Sequence, residues 1–441
     1  MIVRGGMVVT PRGVGRADIQ ISDGRITAVG PGLDVEGEEI DASGLHVFPG
    51  GIYYHFHINE PGRTDWETIA NGSAALAAGG YTTFLDMPLN SLPVTVSGTA
   101  FDSKLAAMKR SSLLDFGLWA GLVPANLDHL SELVKRGAMG FKAFMCVSGI
   151  EEFPACGNST LLEGMKRIAG LDSILLVHAE SPAVLKAHAR EGIGARAFLA
   201  SRPPIAEYQA IDTALGFAAQ AGCRLHVVHV STTHGVQLIR SARARDVDAS
   251  AETCPHYLLY TDHDLERLGG MGKCTPPFRS GRDRDGLWRL LGTGELEMVV
   301  SDHSPSSLNL KQGTDFFRIW GGISGCQSTR QLLLAQDRLD LPTIAAVTAA
   351  NVALRFGLSH KGDIAPGYDA DLWLVDLDHQ GFVRREDLLY RNQFSVHDGQ
   401  RIRGKTVRTM LRGQSVFADG RPAAGPVGRF IRPTSNPAAP P

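Results

Sequence analysis

The stretch ILLVHAE (174–180) is a run of four apolar residues that stops at a histidine. A run this short is read as a strand buried on both faces rather than as a helix. The same texture recurs through the middle of the chain, near 46–54, 82–86, 115–121, 138–144, 173–178, 224–229, 248–253 and 297–302. Helical patterns fill most of the gaps, for example DWETIANGSAALAAGG (65–80) and AEYQAIDTALGFAAQAG (206–222). Eight strand–helix units over roughly 300 residues predict an α/β fold, a (β/α)8 TIM barrel. An open doubly wound sheet is the alternative, but no G-x-G-x-x-G follows the first strand to support it.

The flanks read differently. MIVRGGMVVT (1–10) and ADIQISDGRITAVG (17–30) alternate apolar and polar residues, with Asp23-Gly24 as a hairpin turn. DADLWLVDL (369–377) and TVRTMLRGQSVFADG (406–420) repeat that texture, with Asp419-Gly420 as another turn. Neither end has enough strands for a stable sheet by itself, so both are expected to join in one small β domain. The expected division is a sandwich-like β domain from 1–50 plus 360–425, a catalytic barrel over 51–359, and an extended, loosely ordered Pro-rich tail over 426–441.

Bulk properties narrow the function classes. The 441 residues are 43% hydrophobic and 20% charged, enough to bury a large core. Lys+Arg is 44 against Asp+Glu 46, a net charge of -2 that points to no nucleic-acid partner. No run of 18 or more apolar residues is present to span a bilayer, and MIVRGGMVVT lacks a signal core, so a cytoplasmic location is expected. The six cysteines are scattered with no C-x-x-C pair and are expected to be buried free thiols.

The chemistry collects at the strand ends. His55 and His57 end the first barrel strand, two residues apart and so on one face. GFKAFM (140–145) ends strand four with Lys142, and ILLVHAE ends strand five with His178. LHVVHVST (225–232) ends strand six with His229, and EMVVSDHS (297–304) ends strand eight with Asp302. A lone His at such a place is more often a satisfied core group than a ligand. Six candidates at ends that all converge on one mouth make that bland reading poor. Lys142, between Phe141 and Ala143-Phe144, is expected to be buried with a depressed pKa. Its neutral amine can capture carbon dioxide as a carbamate, an anion suited to bridging two cations. Two divalent ions held this way form a net positive Lewis-acid site.

These residues lie within a longer pattern: HFHINEPGRTDWE (55–67), DMPLNS (86–91), KAFM (142–145), HAE (178–180), HVVHVS (226–231), ETCPHYL (252–258), KCTPPFR (273–279), SDHSP (301–305), KGDIAPGYDADL (361–372) and GRFIRP (428–433). In this order they resemble the cyclic amidohydrolases, the family of dihydroorotases, hydantoinases (dihydropyrimidinases) and allantoinases. The resemblance spans nearly the whole chain. It implies two divalent metal ions per subunit, zinc in most of the family, bridged by carboxylated Lys142. His55, His57 and Asp302 would hold the more buried ion, and His178 and His229 the second. A bridging hydroxide would attack the ring amide carbonyl, with Asp302 taking its proton and passing it to the leaving nitrogen. The partner implied is a small-molecule substrate, and family analogy points to a homo-oligomer, a tetramer.

Three positions bear on the substrate. Dihydroorotases carry an Arg two residues after the second His of H-x-H, where this chain has Asn59. Hydantoinases carry an oxyanion-holding Tyr five residues after the bridging Lys, where Val147 stands here, and an Asn before Gly321-Gly322, where Trp320 stands. The resemblance therefore implies hydrolysis of the cyclic amide of allantoin to allantoate, a step of purine (ureide) catabolism. A hydantoinase-type or dihydroorotase-type reaction is the alternative, and a catalytically silent scaffold relative the third. Asn90, Thr275, Gly322 and Arg63 are the expected substrate contacts, with His226, His303 and His256 in supporting roles. The family pattern D-x-H-x-H departs here at Tyr53, which carries no negative charge to support the site from behind.

Overall fold

The computed structural model describes residues 1–34, 37–189 and 192–434. A nine-stranded sheet is built from both ends of the chain. Ile2–Thr10, Gly13–Ser22, Arg25–Gly30, Glu39–Asp41 and His46–Pro49 come from the N-terminal end; Leu372–Phe382, Arg401–Leu411, Gln414–Ala418 and Arg421–Pro422 come from the other. The halves join where Leu372–Val375 pairs antiparallel with His46–Pro49. The two expected turns are formed with both residues left-handed, φ 50° and 77° at Asp23-Gly24 and 54° and 75° at Asp419-Gly420, which matches the twist of the flanking strands. Arg412-Gly413 makes a third such turn at 49° and 75°.

Alternation along the joining strand sorts its side chains between two cores. Leu372 and Leu374 pack with Val3, Ile19, Ile26 and Val47 in a small apolar cluster. Trp373 and Val375 face the other way, into the large cluster that fills the barrel and its helical shell.

Eight parallel strands make that barrel. They are β1 (Gly51–Phe56), β2 (Tyr81–Asp86), β3 (Asp115–Leu118, continued by Ala120–Gly121), β4 (Phe141–Phe144), β5 (Ile174–His178), β6 (Arg224–Val227), β7 (Ala249–Thr253) and β8 (Met298–Val299). Trp119 interrupts β3, and its N–H donates to Asp86 O of β2 at 2.9 Å. The ring closes at its mouth, where His57 N–H donates to His303 O at 3.0 Å. Almost every strand residue is buried, because core lies on one face and helices on the other. Helices follow with their expected caps; the Thr68 hydroxyl, for instance, accepts from Asn71 N–H at 3.1 Å to start Ile69–Ala78.

Two expectations about the end of the chain are corrected. The segment 383–400, placed by its sequence in the β domain, leaves the sheet and packs on the barrel. Arg391 N–H donates to Glu67 at 3.1 Å, the Tyr390 ring lies 4.8 Å from His303, and Tyr260 donates to Val396 O at 2.8 Å. The tail is not loose over 426–434. Phe116 N–H donates to Arg429 O and Ile431 N–H to Phe116 O, so the tail runs beside β3, with Phe430 against Phe116. Burial of Phe430 and Ile431 outweighs the proline content of the sequence there. The rest of the expected tail, 435–441, lies outside the described residues.

One side chain joins the two units. Arg330 is fully buried, donates to Gly80 O at 2.9 Å and Pro49 O at 3.3 Å, and lies 4.1 Å over the Trp373 ring. Gly80, at φ 82°, leaves the room that Trp373 occupies. Arg330→Ala removes these hydrogen bonds, the cation–π contact and the packing. It is expected to lower stability by about 2–5 kcal/mol, read as a lower urea midpoint. An unchanged midpoint would show that the joint does not depend on this residue.

Candidate metal centre and substrate pocket

The strand ends bring the expected residues to one place. His55, His57, Asn90, Lys142, His178, His229, Thr275, Asp302 and Gly322 all line one cavity of about 60 Å³ at the barrel mouth, with Ser148, Ser304 and Trp320. Arg63 is not in its wall. Its guanidinium donates to Asn90 O at 3.1 Å and lies 4.9 Å over Trp66, so it orders the loop behind the wall. Asn59 is buried, and its amide lies 3.4 Å from Pro305 O. Val147 sits at the rim, 76% exposed. A larger cavity of about 460 Å³ adjoins the first and shares Ser148, Thr275, Trp320 and Gly321 with it.

Two donor sets face each other. Asp302 Oδ1 lies 3.1 Å from His55 Nε2 and 3.2 Å from His57 Nε2. His178 Nδ1 and His229 Nε2 are 3.1 Å apart. Ligands each 2.0–2.1 Å from a tetrahedral zinc stand about 3.3 Å from one another, so both spacings suit a shared cation. Burial pushes the His57 imidazole down to about 4 and those of His178 and His229 below their ordinary value, leaving the neutral form that ligates. Burial alone would raise Asp302. Interaction with His55, and with His57 through its hydrogen bond, instead holds it well below the usual carboxylate range.

Lys142 lies in the same wall, and its Nζ is buried without a hydrogen-bond partner among the described residues. Burial pushes it down to about 8. An orphaned, readily deprotonated amine in a cavity with two donor sets fits a bridging carbamate, which would satisfy it. The residues present therefore fit a pair of divalent ions.

A set of buried carboxylates behind the ligands carried no role in the sequence reading. Glu252, at the end of β7, hydrogen-bonds His55 Nδ1, bonds His226 Nε2 at 2.9 Å and accepts from His229 N–H at 3.1 Å. Burial opposes its ionisation, but His55 and His226 bring it down to about 2. Glu180 does the same for His178, at 2.8 Å from its Nε2, and is itself paired with Arg202 at 2.5 Å. The signal was present: a glutamate inside the wholly buried ASAET (249–253) needs a charged or hydrogen-bonded reason to be there. Tyr53 hydrogen-bonds Ser301 Oγ, and its hydroxyl accepts from His303 N–H at 3.1 Å. It thus braces both neighbours of Asp302, while Glu252 supplies the negative charge that Tyr53 lacks.

Residues 46–416 match the model of the Amidohydrolase family. The chain is 50% identical to an allantoinase of Rubrobacter xylanophilus, over 98% of this chain and 97% of that one. It is 48% identical to an allantoinase of Solibacter usitatus, over 99% and 97%. Among solved structures it resembles the L-hydantoinase (dihydropyrimidinase) of Arthrobacter aurescens, with a TM-score of 0.95 and 32% identity over 98% and 99% of the two chains.

Glu252→Gln keeps the shape but removes the charge that orients His55. Zinc should then be lost to a competing chelator at a tenfold to hundredfold lower chelator excess, roughly the usual effect of such supporting carboxylates, with the fold intact by circular dichroism. Zinc retention equal to the unmodified protein would remove Glu252 from the centre.

Proposed function

The chain belongs to the amidohydrolase family, and from that premise we propose that it hydrolyses the cyclic amide of allantoin to allantoate. The observation that carries the reading is the pocket itself: four histidines, Asp302 and the unpartnered amine of Lys142 line one small cavity. The full-length identity to allantoinases directs the choice of substrate, and Asn59, Val147 and Trp320 agree with it. Asn59 offers no charge for a substrate carboxylate, and allantoin has none. The exposed Val147 leaves the pocket without the hydantoinase Tyr, and Trp320 forms part of the wall instead.

The residue roles are part of the same proposal. His55, His57 and Asp302 would hold one divalent ion and His178 and His229 the other, with Lys142 between them as carbamate. The ions, zinc in this proposal, supply Lewis acidity and an activated water. Asp302 would accept a proton on the carboxylate oxygen not given to the ion and return it to the leaving nitrogen. Thr275 and Gly322 would present backbone groups to the ring, and Asn90, its Nδ2 3.3 Å from Ser304 Oγ, would border it from the loop after β2. Gly322, at φ 151°, lies so close to Ser304 O that a β-carbon would not fit. We place the protein in the cytoplasm on its six buried free cysteines; no helix among the described residues is long and apolar enough to cross a membrane. Assembly as a tetramer is part of the same proposal, by family analogy.

The test is ring opening of allantoin, dihydroorotate, dihydrouracil and hydantoin by the zinc-loaded protein, compared as kcat/KM. Allantoin should lead clearly. Preference for any of the others would overturn the substrate assignment, and no turnover of any would overturn the enzyme reading. Lys142→Ala should lose bound metal and nearly all turnover, with partial recovery on adding a short carboxylic acid that replaces the carbamate. Unchanged metal content and activity without that acid would exclude Lys142 as the bridge.

A further inference from the structure

A buried lysine beside the pocket has no place in the candidate metal centre. Lys311 ends the short turn Leu308–Lys311, and its side chain is buried. Its Nζ donates to Trp320 O at 2.9 Å and Gly322 O at 2.7 Å, and reaches Lys273 O at 3.4 Å. These carbonyls come from two segments far apart in sequence. Trp320–Gly322 forms one part of the pocket wall, and Cys274-Thr275, directly after Lys273, forms another. The segments touch where Gly322 N–H donates to Lys273 O at 2.9 Å. The Lys273 ammonium adds a further tie, to Ile319 O.

Carbonyl dipoles, not a carboxylate, hold the Lys311 charge. Among the described residues the ionisable groups that act on it are Cys274 and Lys273, both on the 273–279 segment. Lys273 in turn feels Arg202 and Asp315. An ammonium has three hydrogens for the three carbonyls; a neutral amine has two, and leaves one carbonyl unsatisfied. Burial brings Lys311 down to about 7, so this change falls near neutrality.

We propose that Lys311 is a positioning residue for the substrate: its ammonium pins the Lys273–Thr275 and Trp320–Gly322 segments to each other and so fixes the pocket wall against which the ring lies. The inference rests on the ring-opening reading of the site. It separates binding from chemistry, because Lys311 touches none of the candidate ligands. Loss of its proton slackens the wall and weakens substrate binding, while the reacting groups stay where they are. The charged form is the one present at lower pH, so KM is low there and climbs as pH rises through the Lys311 titration.

The experiment is steady-state kinetics of zinc-loaded wild type, Lys311→Met and Lys311→Arg with allantoin, from about pH 6 to 9. In wild type, KM should rise roughly tenfold through a limb centred at about 7, and kcat should show no limb at the same position. Lys311→Met should have the raised KM at every pH, with kcat retained. Lys311→Arg, whose charge does not titrate in this range, should have no such limb in KM. Thermal melting checks that each variant folds, and the Arg variant decides the matter where the Met variant does not fold. A wild-type KM limb that persists in a folded variant, with KM within about twofold of wild type, would overturn the proposal. A wild type that does not open allantoin would instead overturn the substrate assignment, and the same three proteins are then compared on whichever cyclic amide turns over.

Discussion

The carboxylate of Glu252 ties three strands of the barrel together at the depth of the candidate metal centre. It sits at the end of β7, bonded to His55 on β1 and to His226 on β6, and takes the backbone N–H of His229 just past β6. A single negative charge in a low-dielectric interior is tolerable only when its lone pairs are filled. Here two imidazoles and a backbone amide fill them. The arrangement also acts on the ligands. An imidazole that gives its Nδ1 hydrogen to Glu252 keeps a free lone pair at Nε2, and His55 Nε2 is the atom that faces Asp302 at 3.1 Å. Glu252 thereby sets both the tautomer and the ring orientation of His55. Glu180 does the equivalent from just past β5, leaving His178 Nδ1 toward His229.

The mouth carries backbone strain where these groups turn inward. His229 and Asp302 have φ of 41° and 48°, and Asn90 has 76°. None is glycine, and each such residue costs on the order of 1–3 kcal/mol. Their neighbours hold them in place: Val228, Val230, Ser301 and His303 are all buried. At Asp302 the hold is also explicit, because Tyr53 bonds the residue on either side. A strand could not continue straight past either position and still present these side chains to the cavity, so strain and site share one cause.

The barrel strands were legible as short apolar runs, although the run near 46–54 divides into His46–Pro49 of the terminal sheet and Gly51–Phe56 of the barrel. The terminal hairpins were legible through Asp23-Gly24 and Asp419-Gly420. The candidate ligands were legible for the same reason as the strands: a His, Lys or Asp at the last position of an apolar run stands out. Glu252 and Glu180 did not stand out, since a buried glutamate declares its role only through partners on other strands. Segment 383–400 was misread because strand-like composition before and after it hid an excursion whose anchors, Glu67, Gln327 and Tyr260, are remote in sequence. The tail was misread because prolines argue against helix and sheet ladders but not against docking of Phe430 and Ile431.

Chemistry and recognition are carried by different parts of this molecule. The candidate ligands stand on, or just past the ends of, strands whose positions are fixed by ladder hydrogen bonds and a dense core, and a solved hydantoinase at 32% identity overlays with a TM-score of 0.95. The wall around them is made largely of loops, and Gly321 and Gly322 can offer it only backbone. Val147 is turned out to solvent. A peptide group has the same donors and acceptors whatever its residue, so that part of the wall acts by where it stands. Its placement must then be fixed from behind. Arg63 does so through Asn90 O, and Lys311 does so through the carbonyls of Lys273, Trp320 and Gly322. Cations behind the wall thus hold the backbone that shapes the pocket.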